Sequence, residues 1–273
     1  MQSIPVWRLL VTPPLPGAAN MAIDQALAEH YPATRLPTLR LYRWSPACLS
    51  IGLGQRLHRD IDRAACAARG IDIVRRPTGG RAILHDQELT YALVLDATTS
   101  LPAGPTLGGG ILQSYRTISH ALCDGLAQLG LSPLLAPRPD RQVAKSAACF
   151  DLPGDYEITI GGRKLVGSAQ ARQHGTLLQH GSLLLHADVD TLTAVLRLPV
   201  ELHAAVLAQR LVALDEVLGY QPSFEAAAEA LVRGFEQRWQ IQLEPGELTS
   251  AEHERAEQLA AERFGHSDWT ERR

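Results

Sequence analysis

The sequence contains almost no lysine. Of its 26 basic residues only two are lysines, Lys145 and Lys164, and the other 24 are arginines. A lysine ammonium is compact and can lose its proton near neutral pH once it is desolvated, whereas an arginine guanidinium stays charged. A lysine kept in so arginine-rich a chain is therefore a candidate for chemistry that arginine cannot perform. Small residues follow Lys164 and single it out, while Lys145 lies in a proline- and arginine-rich stretch typical of a surface loop.

Cysteine is also scarce, and it is not arranged in pairs. The four cysteines, Cys48, Cys66, Cys123 and Cys149, are widely separated and form no CxxC motif. This spacing argues against zinc sites and disulfides, and it predicts free thiols in a reducing cytoplasm. Cys48, Cys66 and Cys123 fall in predicted strands and helices, where a cysteine is ordinarily a small packing residue.

Long apolar runs and an excess of basic charge are both missing. No apolar run approaches the roughly 20 residues that span a membrane, and the N-terminus lacks a basic leader followed by an apolar segment. The net charge of −3 gives no general basic field for nucleic acid. The triple glycine at 108–110 precedes no GK[ST] motif, so it does not predict a phosphate loop. We therefore expect a cytoplasmic monomer with neither a membrane nor a nucleic acid as partner.

The predicted strands and helices are segregated along the chain. Strand-like runs concentrate before residue 186, with helical patterns such as 59–68 between them, and helical patterns follow it. The last of these, over 249–264, begins with the capping box Thr249-x-x-Glu252. This order of strands and helices predicts the α+β class rather than regular βαβ alternation. A length of 273 residues suits one large domain or one domain with an appendage. We expect a catalytic domain over 1–221 and a helical C-terminal extension over 222–273 packed on it, with a single domain as the alternative.

The most informative stretch is a predicted hairpin that carries Lys164. A strand-like run over 156–160 is followed by Gly161-Gly162 and a second run. If the two glycines form a two-residue turn, Ile160 faces Arg163 and Thr159 faces Lys164. The small residues that continue the second run, Gly167-Ser168-Ala169, indicate that something approaches the backbone closely. That neighbour is either a ligand or another strand.

A second glycine pair follows another predicted strand, in the segment Arg75–Arg81. Consecutive backbone N–H groups at Gly79 and Gly80 can converge on an anion or on a developing oxyanion. A plain hairpin turn accounts for the same two glycines equally well. His85 and His180 are candidates to line a pocket, and each fits equally well as a buried histidine whose nitrogens are bonded to neighbours.

These stretches resemble the signature blocks of the biotin/lipoate protein ligase and octanoyltransferase superfamily. The blocks are RRPTGGRAILHDQELTYAL at 75–93 and GRKLVGSAQARQHGTLLQHGSLLL at 162–185. The runs NMAIDQAL at 20–27 and LRLYRW at 39–44, together with Trp269, extend the resemblance over nearly the whole chain. The resemblance implies a ligase-like catalytic domain, built on a mixed or antiparallel β-sheet flanked by helices, with a mainly helical C-terminal part.

The segment from Cys149 to Glu157 is similar to the cysteine-dependent octanoyltransferases of this superfamily. That similarity implies that Cys149 is the nucleophile and that Lys164 assists it. It implies transfer of an octanoyl group from acyl carrier protein to a lysine of the glycine cleavage H protein or of a lipoyl domain, without ATP or a metal. The resemblance to the two blocks implies these substrate-binding residues: Arg76, Gly79, Gly80, His85, Gly167, Ser168, Ala169 and His180.

Three other functions fit the same motifs. An ATP-dependent lipoate–protein ligase would use Lys164 to hold a carboxylate or a phosphate. An amidotransferase would move octanoyl from the H protein to other lipoyl domains, also through a cysteine. A module that only binds an acylated carrier would leave Cys149 unacylated. An eight-carbon acyl chain needs an apolar tunnel, and candidates to line it are Tyr42, Leu84, Tyr91 and Val166.

Overall fold

The computed structural model describes residues 3–102, 106–136, 157–199 and 203–272. The strands in chain order are β1 (Val6–Val11), β2 (Thr38–Tyr42), β3 (Cys48–Ile51), β4 (Asp72–Arg75), β5 (Ile83–His85), β6 (Glu88–Asp96), β7 (Leu134–Leu135), β8 (Ile158–Ile160), β9 (Arg163–Gln173), β10 (Thr176–Leu184) and β11 (Gln242–Pro245). The helices are α1 (Gly17–Thr34), α2 (Leu57–Asp60), α3 (Arg63–Ala68), α4 (Ile111–Gln128), α5 (Val189–Val195), α6 (Ala204–Ala208), α7 (Leu214–Leu218), α8 (Phe224–Trp239), α9 (Ser250–Leu259) and α10 (Ser267–Glu271), with a π-helical turn at Ala260–Phe264.

The strands form one large and one small sheet. The large sheet has the order β11-β1-β2-β6-β10-β9-β8-β7, in which β11, β1 and β2 run parallel and the other neighbours are antiparallel. The small sheet has the order β4-β3-β5. A mixed sheet flanked by helices confirms the predicted α+β class. Among the described helices, none combines the length and the apolar character that crossing a bilayer requires.

The two faces of the large sheet are covered by different elements. On one face, Asp24 of α1 bonds to His180 of β10, and the loop after β4 reaches the same histidine through Thr78. On the other, Ser114 of α4 bonds to Gln170 of β9. We name these the α1 face and the α4 face. The small sheet thus lies over the α1 face, and the space between the two sheets is where a pocket can form.

The hairpin predicted from Gly161-Gly162 is confirmed residue by residue. Ile160 pairs with Arg163 and Thr159 with Lys164. Gly161 and Gly162 have φ angles of +58° and +76°. Two consecutive left-handed residues are what a tight two-residue hairpin turn requires, and glycine adopts them without strain.

The predicted helix over 59–68 is wrong in one respect, because it is two helices. Between α2 and α3, Ile61 forms a β-bridge with Leu196. Asp62 then caps α3 by accepting a hydrogen bond from the Ala65 amide. A tertiary backbone contact and a new N-cap therefore interrupt a run that looks continuous in sequence.

The C-terminal part contains a strand that the sequence pattern did not predict. Strand β11 has only four residues, two of them polar and one of them proline, so its periodicity is weak. It joins the edge of the large sheet parallel to β1, and α8 packs on α4 in the same hydrophobic core. Residues 222–272 therefore share a sheet and a core with the preceding part of the chain.

A buried ion pair fastens α9 to the first strand. Arg8 donates to both carboxylate oxygens of Glu252 at 2.7 Å each, and Glu252 also completes the predicted capping box with Thr249. Burial is the largest single influence and would raise the pKa of Glu252, but the hydrogen bonds from Arg8 and Thr249 and the charge of Arg8 together outweigh it and hold the pKa below its ordinary value. The carboxylate therefore stays charged in the folded chain.

Replacing Glu252 with glutamine is expected to lower the free energy of unfolding by about 3–5 kcal/mol at neutral pH, because buried Arg8 loses its counter-charge. A carboxyl whose folded pKa is depressed stabilises the fold above its unfolded pKa and loses that contribution as the pH falls through the folded pKa. The free energy of unfolding, measured with urea in acid and at neutral pH, should therefore depend less on pH in the variant than in the wild type. Glu254→Gln, on the exposed side of α9, is the matched control and should stay within about 0.5 kcal/mol of the wild type. An equal effect of the two substitutions would contradict the role of the pair.

Candidate active site

Lys164 is fully buried at the start of β9. Its backbone is held on one side by residues 210–212, since its N–H donates to the Arg210 carbonyl and its own carbonyl accepts from the Val212 N–H. Its Nζ lies 2.5 Å from Oε1 of Glu157. A buried ammonium needs such a partner, because removing its charge from water is costly.

Glu157 is a site residue that the sequence reasoning did not select. It immediately precedes β8 and lies two residues before Thr159, so the two side chains share a face of the strand. Thr159 was expected opposite Lys164. The predicted hairpin therefore already pointed to Glu157, because its carboxylate is the acidic group nearest to Lys164 across the turn.

A bulge in β9 aims Lys164 at the α1 face. Thr159 pairs with Lys164 but the next residue, Ile158, pairs with Val166. Neighbouring residues of a strand point to opposite faces, and paired residues share a face. Lys164 and Val166 therefore point to opposite faces although they are two residues apart. Val166 pairs with Leu183 on the α4 face, so Lys164 lies on the α1 face, and bulges often redirect a side chain in this way beside active sites.

A cavity of about 280 Å³ lies between the α1 face and the small sheet. Four of the predicted substrate-binding residues line it, Arg76, His85, Ala169 and His180. Its walls combine apolar side chains with a few polar groups, as small-molecule pockets do. The remaining lining residues are Met21, Tyr42, Trp44, Ser50, Ile83, Thr90, Gly181 and Ser182.

Three of the residues expected to line a tunnel lie elsewhere. Leu84 lines a separate cavity of about 440 Å³ that contains none of the predicted site residues. Tyr91 and Val166 lie on the α4 face, where the Tyr91 hydroxyl bonds to Ser168 at 2.8 Å. Only Tyr42 lines the cavity beside His85 and His180. Leu84, Tyr91 and Val166 therefore do not line this cavity, because hydrophobic residues of a buried fold point in several directions, and their place in a tunnel stays a prediction.

His180 connects helix α1 to the loop after β4. Its Nδ1 lies 2.9 Å from Oδ2 of Asp24, and its Nε2 lies 2.7 Å from the hydroxyl of Thr78. Burial lowers the pKa of His180, so the ring is neutral. Burial alone would raise the pKa of Asp24, but the hydrogen bond from His180 and the charge of Arg40 outweigh it and hold it low. Nδ1 therefore donates to a carboxylate, and Nε2 accepts from the Thr78 hydroxyl.

His85 occupies a similar position on the opposite wall. Its Nδ1 bonds to Oε1 of Glu88 and its Nε2 to the hydroxyl of Ser50, each at 2.7 Å. The Trp44 ring stacks on the imidazole with centroids 4.0 Å apart. Glu88 accepts two further hydrogen bonds, from Thr90 and Ser182. Each of the two histidines thus lines the cavity and also has both ring nitrogens hydrogen-bonded. The pocket-lining interpretation and the buried-histidine interpretation therefore apply to both residues at once.

Arg76 fixes the conformation of the loop after β4, residues 76–81, which we name the glycine loop. Its guanidinium donates to the carbonyls of Ser50, Gly79 and Arg81 at 3.0, 2.9 and 2.7 Å. Gly80 has a φ of +95°, and a Cβ there would lie 2.7 Å from the Arg76 guanidinium, so only glycine fits. Gly79 and Gly80 are exposed, and neither N–H donates to another residue of the described chain.

The small residues of β9 are partly explained by strand packing. Gly167, Ser168 and Ala169 pair with Ser182, Gly181 and His180 of β10. A Cβ on Gly181 would lie 2.6 Å from both the Tyr91 ring and the Ser168 hydroxyl. Ser168 points to the α4 face, where burial raises the pKa of its partner Tyr91 to about 12. Ala169 faces the cavity, so of these three residues it is the one placed to touch a ligand there.

Cys149 lies outside the described residues, and its predicted role as the nucleophile stays a prediction. Lys145 lies in the same undescribed stretch. Within the described part of the chain, Lys164 and its partner Glu157 therefore lie on the sheet face that also carries the cavity wall, and the loop at Gly79 and Gly80 is tied to that face through Thr78 and His180.

Comparisons with known proteins place this geometry in a family. The family model for the lipoyl protein ligase A/B catalytic domain matches residues 16–236. Octanoyltransferase LipM of Kyrpidia tusciae is 45% identical, covering 98% of this chain and 99% of that protein. Octanoyltransferase LipM of Moorella thermoacetica is 43% identical and covers 98% of each.

A solved structure gives the same result for the fold. A bipartite lipoate protein ligase from Thermoplasma acidophilum, studied with its E2 lipoyl domain, superposes with a TM-score of 0.80 at 25% identity. The match covers 98% of this chain and 96% of that one. The superfamily and the ligase-like fold expected from the two signature blocks are thereby confirmed. The chain belongs to the lipoyl protein ligase A/B catalytic domain family.

Proposed function

We propose that this chain is an octanoyltransferase of lipoate biosynthesis that moves an octanoyl group to a protein lysine through a thioester on Cys149. The observation that carries the proposal is the placement of Lys164, a fully buried lysine on the same sheet face as the cavity. The predicted acyltransferase class and octanoyl transfer are confirmed by the near-full-length relatives named octanoyltransferase LipM.

In the first step the Cys149 thiolate attacks the carbonyl carbon of the donor thioester. A new S–C bond forms, the S–C bond to the carrier breaks, and the carrier leaves as a thiolate that takes a proton from Lys164. A free thiol is mostly protonated near neutral pH, so a nearby ammonium helps by favouring the thiolate. The Gly79 and Gly80 amides would stabilise the oxyanion of the tetrahedral intermediate.

In the second step the ε-amine of an acceptor lysine attacks the acyl-enzyme. An amide bond forms, the Cys149 thiolate leaves, and Lys164, neutral after the first step, takes one proton from the amine. This restores the thiolate and the ammonium, so both residues begin the next cycle in their starting forms. Splitting the transfer in two lets one site serve two protein partners in turn.

The donor and the acceptor are the ones that the resemblance to octanoyltransferases implies. The donor is octanoyl acyl carrier protein, whose thioester is already activated, so no ATP or metal is required. The acceptor is the glycine cleavage H protein or a lipoyl domain. The cavity beside His85 and His180 holds the acyl chain, with Met21, Tyr42 and Trp44 as its apolar wall.

A second candidate, an ATP-dependent lipoate–protein ligase, is favoured by one observation. Beside Arg76, the Gly79 and Gly80 N–H groups donate to no acceptor among the described residues, and such a pair of donors also suits a carboxylate or a phosphate. The T. acidophilum neighbour is itself a lipoate protein ligase.

Intact-protein mass spectrometry after mixing with octanoyl acyl carrier protein, without ATP, tests the proposal. We expect an octanoyl adduct that hydroxylamine removes, as a thioester requires. No adduct, together with pyrophosphate release from ATP and lipoate, would establish the ligase instead. An adduct formed from octanoylated H protein but not from the acyl carrier protein would identify the amidotransferase.

A further inference from the structure

We propose that Thr78 and His180 are positioning residues that hold the Gly79 and Gly80 amides in the direction needed to stabilise the acyl-transfer oxyanion. The inference rests on the proposed acyl transfer and adds residues that act through the backbone of the glycine loop. Thr78 is fully buried and does not line the cavity, so its side chain acts through its partners rather than on the acyl chain.

Two hydrogen bonds to carbonyl oxygens set the direction of these amides. The Leu53 N–H donates to the Thr78 carbonyl at 2.9 Å, and the Arg76 guanidinium donates to the Gly79 carbonyl at 2.9 Å. In a planar trans peptide the C=O and the following N–H point in opposite directions. The Gly79 N–H therefore points away from Leu53, and the Gly80 N–H points away from the guanidinium. Two successive donors are thus turned outward in an exposed loop, with no acceptor among the described residues.

The side chain of Thr78 ties this loop to the large sheet. The chain of bonds runs from the Thr78 hydroxyl to Nε2 of His180 and from Nδ1 of His180 to Asp24. Asp24 is itself fixed by Arg40 at 2.8 Å and by the Tyr42 hydroxyl at 2.9 Å. Because a carboxylate only accepts, each proton in the chain has one possible direction and Thr78 must donate. The loop after β4 is thereby anchored to α1, β2 and β10 together.

A second chain of bonds holds the other end of the same loop. Glu88 bonds to His85, His85 to the Ser50 hydroxyl, and Arg76 donates to that hydroxyl at 3.1 Å. The Arg76 guanidinium in turn donates hydrogen bonds to the Gly79 and Arg81 carbonyls. With the Arg76 end held independently, removing the Thr78 bond should tilt the loop rather than unfold it.

Thr78→Val removes the donor at nearly constant volume. A displacement of about 1 Å in a catalytic group can cost about 10²-fold in rate, so we expect kcat for thioester formation to fall about 10–100-fold. KM for octanoyl acyl carrier protein should stay within about twofold, because the cavity wall is unchanged. Thr78→Ser keeps the hydroxyl and should retain the wild-type rate. Thr176→Val is the matched control, since the Thr176 hydroxyl is also buried but has no hydrogen-bond partner in the part of the chain that the structure describes.

Two substitutions of His180 separate its two bonds. In His180→Gln the amide oxygen reaches the place of Nε2 and can accept from Thr78, whereas the shorter side chain in His180→Asn reaches only towards Asp24. The asparagine variant should be as slow as Thr78→Val, and the glutamine variant should recover most of kcat. Combining His180→Asn with Thr78→Val should slow the enzyme no further, because both remove the same bond.

Hydrogen exchange of the Leu53 amide gives a measurement that needs no activity. This N–H is bonded to the Thr78 carbonyl, so a loosened loop should exchange it at least about tenfold faster. We expect the acceleration in Thr78→Val and His180→Asn, and not in Thr78→Ser or Thr176→Val. Two results would overturn the positioning role: unchanged exchange of the Leu53 amide in Thr78→Val, or a wild-type kcat in that variant. If the wild-type protein still forms its adduct, the proposed function is unaffected by either result. If the wild-type protein itself forms no adduct, the proposed function fails and this role fails with it.

Discussion

Cys149→Ala is expected to form no octanoyl adduct and to transfer octanoyl at least about 10⁴-fold more slowly than the wild type, as loss of a covalent nucleophile does in other enzymes. The expectation is sharpened by the state of the other three thiols. Burial raises the pKa of Cys48 well above its ordinary value, that of Cys66 to about 11 and that of Cys123 to about 12. All three stay protonated near neutral pH, and a protonated thiol is a poor nucleophile.

The measurement is the intact mass of each variant after mixing with octanoyl acyl carrier protein, followed by acylation of the H protein. Cys123→Ala is the matched control, because Cys123 is the least buried of the three described thiols and should acylate as the wild type does. The melting temperature of Cys149→Ala should equal that of the wild type within a few degrees, which excludes misfolding. A hydroxylamine-sensitive adduct on Cys149→Ala would show that another group carries the acyl chain.

Features governed by neighbouring residues could be predicted from the sequence. The Gly161-Gly162 turn determined which residues of β8 and β9 face each other, because a two-residue loop admits only one register. The capping box at Thr249 and Glu252 is also a local pattern, and it forms as expected. In both cases the partners lie within a few residues of one another, so the spacing alone constrains their geometry.

The face to which Lys164 points could not be predicted in the same way. Simple alternation from Ser168, which lies on the α4 face, would have put Lys164 on the α4 face too. The bulge opposite Ile158 and Thr159 reverses this. A bulge depends on how two strands meet in the folded sheet, and no glycine or proline marks it in Lys164–Val166.

The bonds between distant residues could not be predicted from the sequence pattern, although His180 itself was a candidate pocket residue. Thr78 and His180 are 102 positions apart, and His180 and Asp24 are 156 positions apart. Each looks ordinary in its own segment. They form one chain of bonds only because the small sheet lies over the α1 face of the large one, which is a consequence of topology rather than of local spacing.

Lys164→Arg is expected to slow octanoyl transfer to the acceptor by about 10²–10⁴-fold, the range typical of losing a general acid–base group. Arginine keeps the positive charge beside Glu157 but cannot give up its proton near neutral pH. The thiolate should therefore still be favoured, and the departing carrier thiolate can take its proton from water instead of from the side chain. Formation of the Cys149 thioester should then be the less affected step. Deacylation by the acceptor lysine should be slow, so the acyl-enzyme should accumulate.

Single-turnover measurements on the two half-reactions decide this. Lys145→Arg is the matched control, since it replaces the one other lysine of the chain and should leave both half-reactions at the wild-type rate. Because Lys164 is fully buried, the larger guanidinium of arginine could distort the site, and Lys164→Met is therefore measured as well. Methionine fits the space more easily but lacks the charge. The methionine variant should be slow in both half-reactions. Accumulation of acyl-enzyme in the arginine variant, and not in the methionine variant, separates the electrostatic part of the lysine's role from the proton transfer. Wild-type turnover by Lys164→Arg would mean that charge alone is needed, and the deprotonated amine would have no part in the mechanism.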